Sequence, residues 1–325
     1  MKLFKLFVVF FLSVLVLGAC KNKDKLAVDT SKIDVKIEVS RFDKLFYSAT
    51  PQTLAEIKAQ FPYLFPNQEP DSVWLNKIKN KDNRFLYAEV QKTFPDFKEQ
   101  TVDLTSLFKH IKYYYPKFNE PKVLTLISEV DYLNKVIYAD SLLLISLDMY
   151  LGSKHDVYEG FPQYLSAPFD KKYLMAEVAK AIAQKNLPPQ NTQTFISSCI
   201  QQGKLLYQSK AFLPSLADST LLGYDPQKLQ WARANEEFIW KYFVENQLLF
   251  STDKNLMARF INQAPFSKFY LENDRDTPSE IGTYIGFQIV KSFVKNNAIS
   301  LNNMLLMPNE TLFKKSKYKP RNDDK

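Results

Sequence analysis

The chain is poor in the residues that build most catalytic and metal centres. It has 2 histidines in 325 residues, His110 and His155. Two imidazoles are too few for a histidine-based zinc site, and these two are not at ligand spacing from each other. A Ser–His or Cys–His nucleophile would have to use one of them, and no nucleophile stands beside either in the sequence. Cysteine is as scarce: Cys20 and Cys199 are the 2 present. Cys199 lies in Phe195-Ile196-Ser197-Ser198-Cys199-Ile200, an apolar helical context, and reads as a small buried hydrophobe. Glycine is scarce too, with 7 residues, and neither GxGxxG nor GxxxxGK[ST] occurs. That argues against a glycine-loop nucleotide site. Past residue 20 there is no second apolar run of membrane-spanning length.

What is present starts at the N-terminus. Lys2 and Lys5 precede an apolar run over residues 6–17, too short to span and suited to a signal-peptide core. The run ends Leu17-Gly18-Ala19-Cys20, the pattern of a bacterial lipoprotein signal. Cys20 is therefore the expected lipidation site, and acylation (palmitate among the chains) would anchor the mature protein to a membrane. A lipidated Cys20 leaves Cys199 without a partner, so no disulfide framework is expected. The domain reading is a signal peptide over 1–19, a polar tether over 20–32, one globular domain over 33–308 and a polar tail over 309–325.

Composition fits a large core, at 46% hydrophobic and 14% aromatic residues. The net charge of +8 comes from scattered lysines. It reads as solubility, with affinity for anionic envelope surfaces; no nucleic-acid motif accompanies it.

Residues 33–39 alternate as a strand, and 122–127, 136–139 and 141–147 read as three more. Helical periodicity covers 53–61, 71–78, 83–94 and 103–115, the last with Leu104, Leu107, Phe108 and Ile111 on one face. Further helices are expected over 227–233, 235–250, 255–261 and 279–295. Glu236 and Glu237 fall at a helix start, where carboxylates suit the dipole. The fold class expected is α+β, mostly α, with a small mixed sheet packed on several helices.

The most informative stretch is 171–205. It reads as a helix over 171–184, a Pro188-Pro189 turn, and a second helix ending near Gly203. The first carries Ala176-Glu177-Val178-Ala179-Lys180 and the second Gln201-Gln202-Gly203-Lys204. The layout matches His-Glu-x-x-His with a later Glu, the zinc metallopeptidase pattern, in which residues i and i+4 share a helix face and reach one metal. Here each ligand position holds another residue. Ala176 has no donor atom, the Lys180 ammonium repels a cation, and Gln202 is a neutral amide. Only Glu177, at the general-base position, keeps its chemistry, and a base without a metal-bound water has nothing to activate. No cofactor is expected.

Several separated segments together resemble the GldB gliding motility lipoproteins of the Bacteroidetes. They include Ile37-Glu38-Val39-Ser40-Arg41-Phe42-Asp43, Gly203-Lys204-Leu205-Leu206-Tyr207, Gly223-Tyr224, Asn235-Glu236-Glu237-Phe238-Ile239-Trp240 and Gly282-Thr283-Tyr284-Ile285-Gly286. That family is similar in turn to putative zinc-dependent peptidases. The resemblance implies a zincin-like domain with its metal ligands lost, at positions Ala176, Lys180 and Gln202. It implies a lipid-anchored cell-envelope protein required for gliding, linked to the type IX secretion machinery. Its partners would be the membrane and other gliding or secretion proteins, with no nucleic acid. The role expected is binding or assembly without catalysis. The competing expectation is an active envelope hydrolase that uses Glu177 with ligands not yet identified.

Overall fold

The computed structural model describes residues 26–66 and 69–321. The expected signal segment and Cys20 lie outside the described residues. The chain is α+β and mostly helical, around one small mixed sheet.

Strand β1, Val39–Ser40, runs into helix α1, Phe42–Tyr47. Four helices follow: α2 Pro51–Gln60, α3 Asp71–Lys79, α4 Lys81–Thr93 and α5 Lys98–Tyr114. Their starts are written in the sequence. Thr50 and Thr53 cap α2 reciprocally with Pro51 at its first position, and the Asn80 side chain accepts from the backbone of Asp82 and Asn83 at the head of α4. The expected face of α5, from Leu104 to Ile111, is fully buried.

Strands β2, Lys122–Leu126, β3, Val136–Ala139, and β4, Leu142–Ser146, complete the sheet in the order β1-β2-β4-β3. β1–β2 and β2–β4 are parallel, with Val39 opposite Val123 and Leu124 opposite Leu144. β3 and β4 form a hairpin with Ala139 opposite Leu142. Its two-residue turn needs a left-handed position, which Asp140 supplies at φ 49°. The strand expected over 33–39 shortens to two residues. Val35 and Ile37 do pack on the core, but the alternation reflects side-chain burial and not a full backbone ladder.

The second half is helical. After a four-residue helix α6, Gln163–Ser166, come α7 Leu174–Asn186 and α8 Phe195–Phe212. Short helices α9 Asp218–Leu222, α10 Pro226–Ala234, α11 Glu236–Glu245 and α12 Asn255–Phe260 lead to α13 Ile281–Asn296. The chain closes with α14 Leu301–Leu306 and α15 Asn309–Ser316. One apolar core joins the sheet to α1–α5 and α7; a second is built around α8 and α13.

Glycines decide how closely α8 and α13 pack. A β-carbon on Gly203 would stand 2.2 Å from the Gly286 carbonyl oxygen, and one on Gly286 would stand 1.8 Å from that of Cys199. Only bare backbone allows this approach. The second helix therefore does not end near Gly203; it continues to Phe212, and the glycine is a contact point, not a terminus.

Both ends of the domain extend beyond the expected bounds. Leu26, within the expected tether, is buried in the second core. The expected loose tail holds α15, whose Leu312 is fully buried, and the chain beyond it returns to Glu236. Lysine-rich composition concealed the single apolar stripe that docks this helix.

Candidate functional site

Helix α7 buries Leu174, Ala176, Val178, Ala179, Ile182 and Ala183 between the sheet and α8. Glu177 and Lys180 are one turn apart at the rim of that face. β3 packs on α7, and this brings in two residues with no signal in the sequence. Lys135, just before β3, forms an ion pair with Glu177 Oε1. Tyr150, just after β4, donates its hydroxyl to Glu177 Oε2 at 2.5 Å. The Tyr150 phenol is pushed well above its usual range by burial and by the adjacent carboxylate. Both oxygens of the base-position carboxylate are thus occupied by the protein's own donors.

Ala176, Glu177 and Lys180 line one cavity of about 210 Å³. Its other charged residues are Lys135, Lys228 and Glu280. Tyr224 fixes one wall by donating to the Ser279 carbonyl at 2.5 Å. Glu280, the residue before α13, sits in the left-handed region at φ 56°. Burial lowers the pKa of Lys180, opposed by Glu280 and then Glu177. Burial raises that of Glu280, opposed by Lys180.

Gln202 is not among the residues lining this cavity. A second carboxylate of the cavity, besides Glu177, comes from Glu280. Alanine at one ligand position, an ammonium at the next and a carboxylate already bound to Lys135 do not make a zinc donor set. Among the described residues, no group of three or more His, Cys, Asp or Glu side chains is placed to hold a metal ion.

The remaining marked residues have structural partners. His110 Nδ1 lies 2.8 Å from the Ser106 carbonyl on its own helix. His155 Nε2 lies 3.1 Å from Glu89. Cys199 is completely buried against Gly282, and burial pushes its thiol far above the range of a nucleophile. Glu236 is a buried carboxylate, not a surface one. It accepts from Tyr284 Oη at 2.7 Å, Tyr318 Oη at 2.8 Å and the Arg321 backbone at 3.1 Å. Asp43 is also buried, held by Arg41 at 2.7 Å, Gln91 at 2.9 Å and Thr125 at 2.5 Å. A larger cavity, about 580 Å³, opens at the N-terminal end of α7. Its Lys171 is already paired with Glu99 at 2.6 Å, and it holds none of the residues marked by the sequence pattern.

The family described as "Gliding motility protein GldB" matches residues 23–320, nearly the whole chain. No curated protein matches, and no solved structure matches.

Proposed function

The chain belongs to the GldB family of gliding motility lipoproteins, and from that premise we propose that it is a non-catalytic binding or assembly component of the gliding apparatus. The cleft along α7 is a metallopeptidase centre that has lost its metal and kept its shape. The observation that carries this reading is the occupation of the site by lysines. Lys180 places an ammonium at a ligand position, and Lys135 with Tyr150 consumes both oxygens of Glu177. A general base must reach the proton it removes, and this carboxylate is already satisfied. What remains is a groove with fixed polar groups, the form in which an extended peptide is bound.

Lipid attached at Cys20 holds the domain in the envelope. Leu26, which is docked in the second core, is the sixth residue after Cys20. At roughly 3.5 Å per extended residue, the domain stands within about 20 Å of its anchor. No described helix is long and apolar enough to cross a membrane. Replacing Cys20 with alanine should move the protein out of the membrane fraction.

Metal loading and hydrolysis decide the main proposal. Protein exposed to zinc and then dialysed should retain far less than one equivalent by elemental analysis and should leave fluorogenic peptides uncut. Stoichiometric zinc together with chelator-sensitive cleavage would overturn it. A photocrosslinker at Gln263, on the cavity wall, should capture a discrete envelope protein in living cells, and one at His110 should not.

A further inference from the structure

The cavity beside α7 holds charges that the fold leaves without direct partners. Lys135 and Glu177 neutralise each other. Lys180 and Lys228 add two ammonium groups, and Glu280 adds one carboxylate. Among the described residues, none of these three side chains makes an ion pair or a side-chain hydrogen bond. All three side chains are partly buried, and charge drawn partly out of water is costly to leave unpaired. The lining also has a sign: three lysines against two glutamates leave an excess of one positive charge.

Size and backbone geometry narrow the ligand. At about 210 Å³ the cavity is below the roughly 300–1,000 Å³ of pockets that enclose drug-sized molecules. It suits the end of a chain better than a strand that passes through. It lies at the N-terminus of the 16-residue helix α13, whose dipole favours negative charge there. Glu280, the residue before α13, lines the cavity and holds a left-handed backbone conformation at φ 56°.

We infer that this cavity captures the C-terminal end of a peptide. The terminal carboxylate lies between the ammonium groups of Lys180 and Lys228, and the N–H of the last peptide bond donates to Glu280. This rests on the peptide-binding reading of the cleft and adds which part of the peptide is recognised. A terminal residue presents both groups at once, an anion and a donor. An internal segment or an amidated end brings no negative charge to cancel the excess.

The test uses two sets of fluorescein-labelled hexapeptides, randomised over the last four positions. One set ends in a free carboxylate and the other in a carboxamide. Fluorescence anisotropy with the mature domain should show the free-acid set binding at least about tenfold more tightly. Lys180→Met should abolish that preference. Lys228→Gln should reduce it, and decides the matter if Lys180→Met does not fold. Equal binding of the two sets would overturn terminal recognition and leave peptide binding by the cleft intact. Binding of neither set would overturn both. A free-acid preference unchanged in the folded lysine variants would place the carboxylate elsewhere and also overturn the inference.

Discussion

Glu177 is held from two directions, by an ammonium ahead of β3 and a phenol behind β4. Its removal strands both donors in a partly buried setting. Glu177→Leu should therefore destabilise the domain by about 1–3 kcal/mol, the usual cost of orphaned polar groups. Adding Lys135→Met should recover part of that loss, because the pair then leaves together. Urea unfolding of the two single variants and the double variant measures the coupling; strict additivity would mean that the pair contributes nothing.

Lys204 offers a pH test of a different kind. It is completely buried and donates to the carbonyls of Leu305, at 3.1 Å, and Met307, at 2.5 Å. Burial pushes its pKa down to about 8. Between that value and the unfolded lysine value of roughly 10.4, the unfolded chain binds the extra proton, so stability rises with pH across this window. The full effect is on the order of 3 kcal/mol. Above about 10 the trend reverses, because buried phenols such as Tyr115, pushed up to about 12, stay protonated only in the folded state. Lys204→Met should flatten the rise and leave the reversal.

At the level of elements, the contact between α8 and α13 is the most demanding. Gly286→Ala forces backbone apart at a point where a β-carbon would lie 1.8 Å from a carbonyl oxygen. No flexible side chain is available to move aside. The expected loss is about 3 kcal/mol or more, at the upper end of overpacking, seen as a lower urea midpoint or loss of soluble protein. This contact also marks how far the sequence could be read. Period made most helices and strands β2, β3 and β4 visible, because burial of one face dictates that spacing, while the strand expected over 33–39 met β1 only at Val39. Gly203 misled, since the same residue type serves helix ends and close helix crossings. Around Glu177 and the cavity beside it, Ala176, Glu177 and Lys180 were legible from their spacing on one helix. Lys135, Tyr150, Lys228 and Glu280 were not. Each arrives from a different element, and only the tertiary fold brings them to α7.

For the whole molecule, the C-terminal segment closes the second core, and this can be tested by shortening the chain. Helix α15 contributes Leu312, fully buried, and Asn309, which donates to the Ser197 carbonyl at 2.9 Å. The residues after it supply two of the three donors to Glu236, from Tyr318 and Arg321. Ending the chain at residue 308 removes a fully buried leucine, worth roughly 2 kcal/mol. It also leaves a buried carboxylate short of partners, at several kcal/mol more. The sum approaches the entire stability of a typical domain, about 5–15 kcal/mol, so the shortened protein should fail to accumulate in soluble form. Tyr318→Phe removes one donor and keeps the ring that packs edge-on against Trp240 at 5.1 Å, so its cost should be about 1–2 kcal/mol with the fold intact. A chain ending at residue 321 keeps every one of these contacts and should melt as the full-length protein does. If the 308 truncation were as stable as the full chain, the C-terminal segment would be an accessory to the domain and not part of its core.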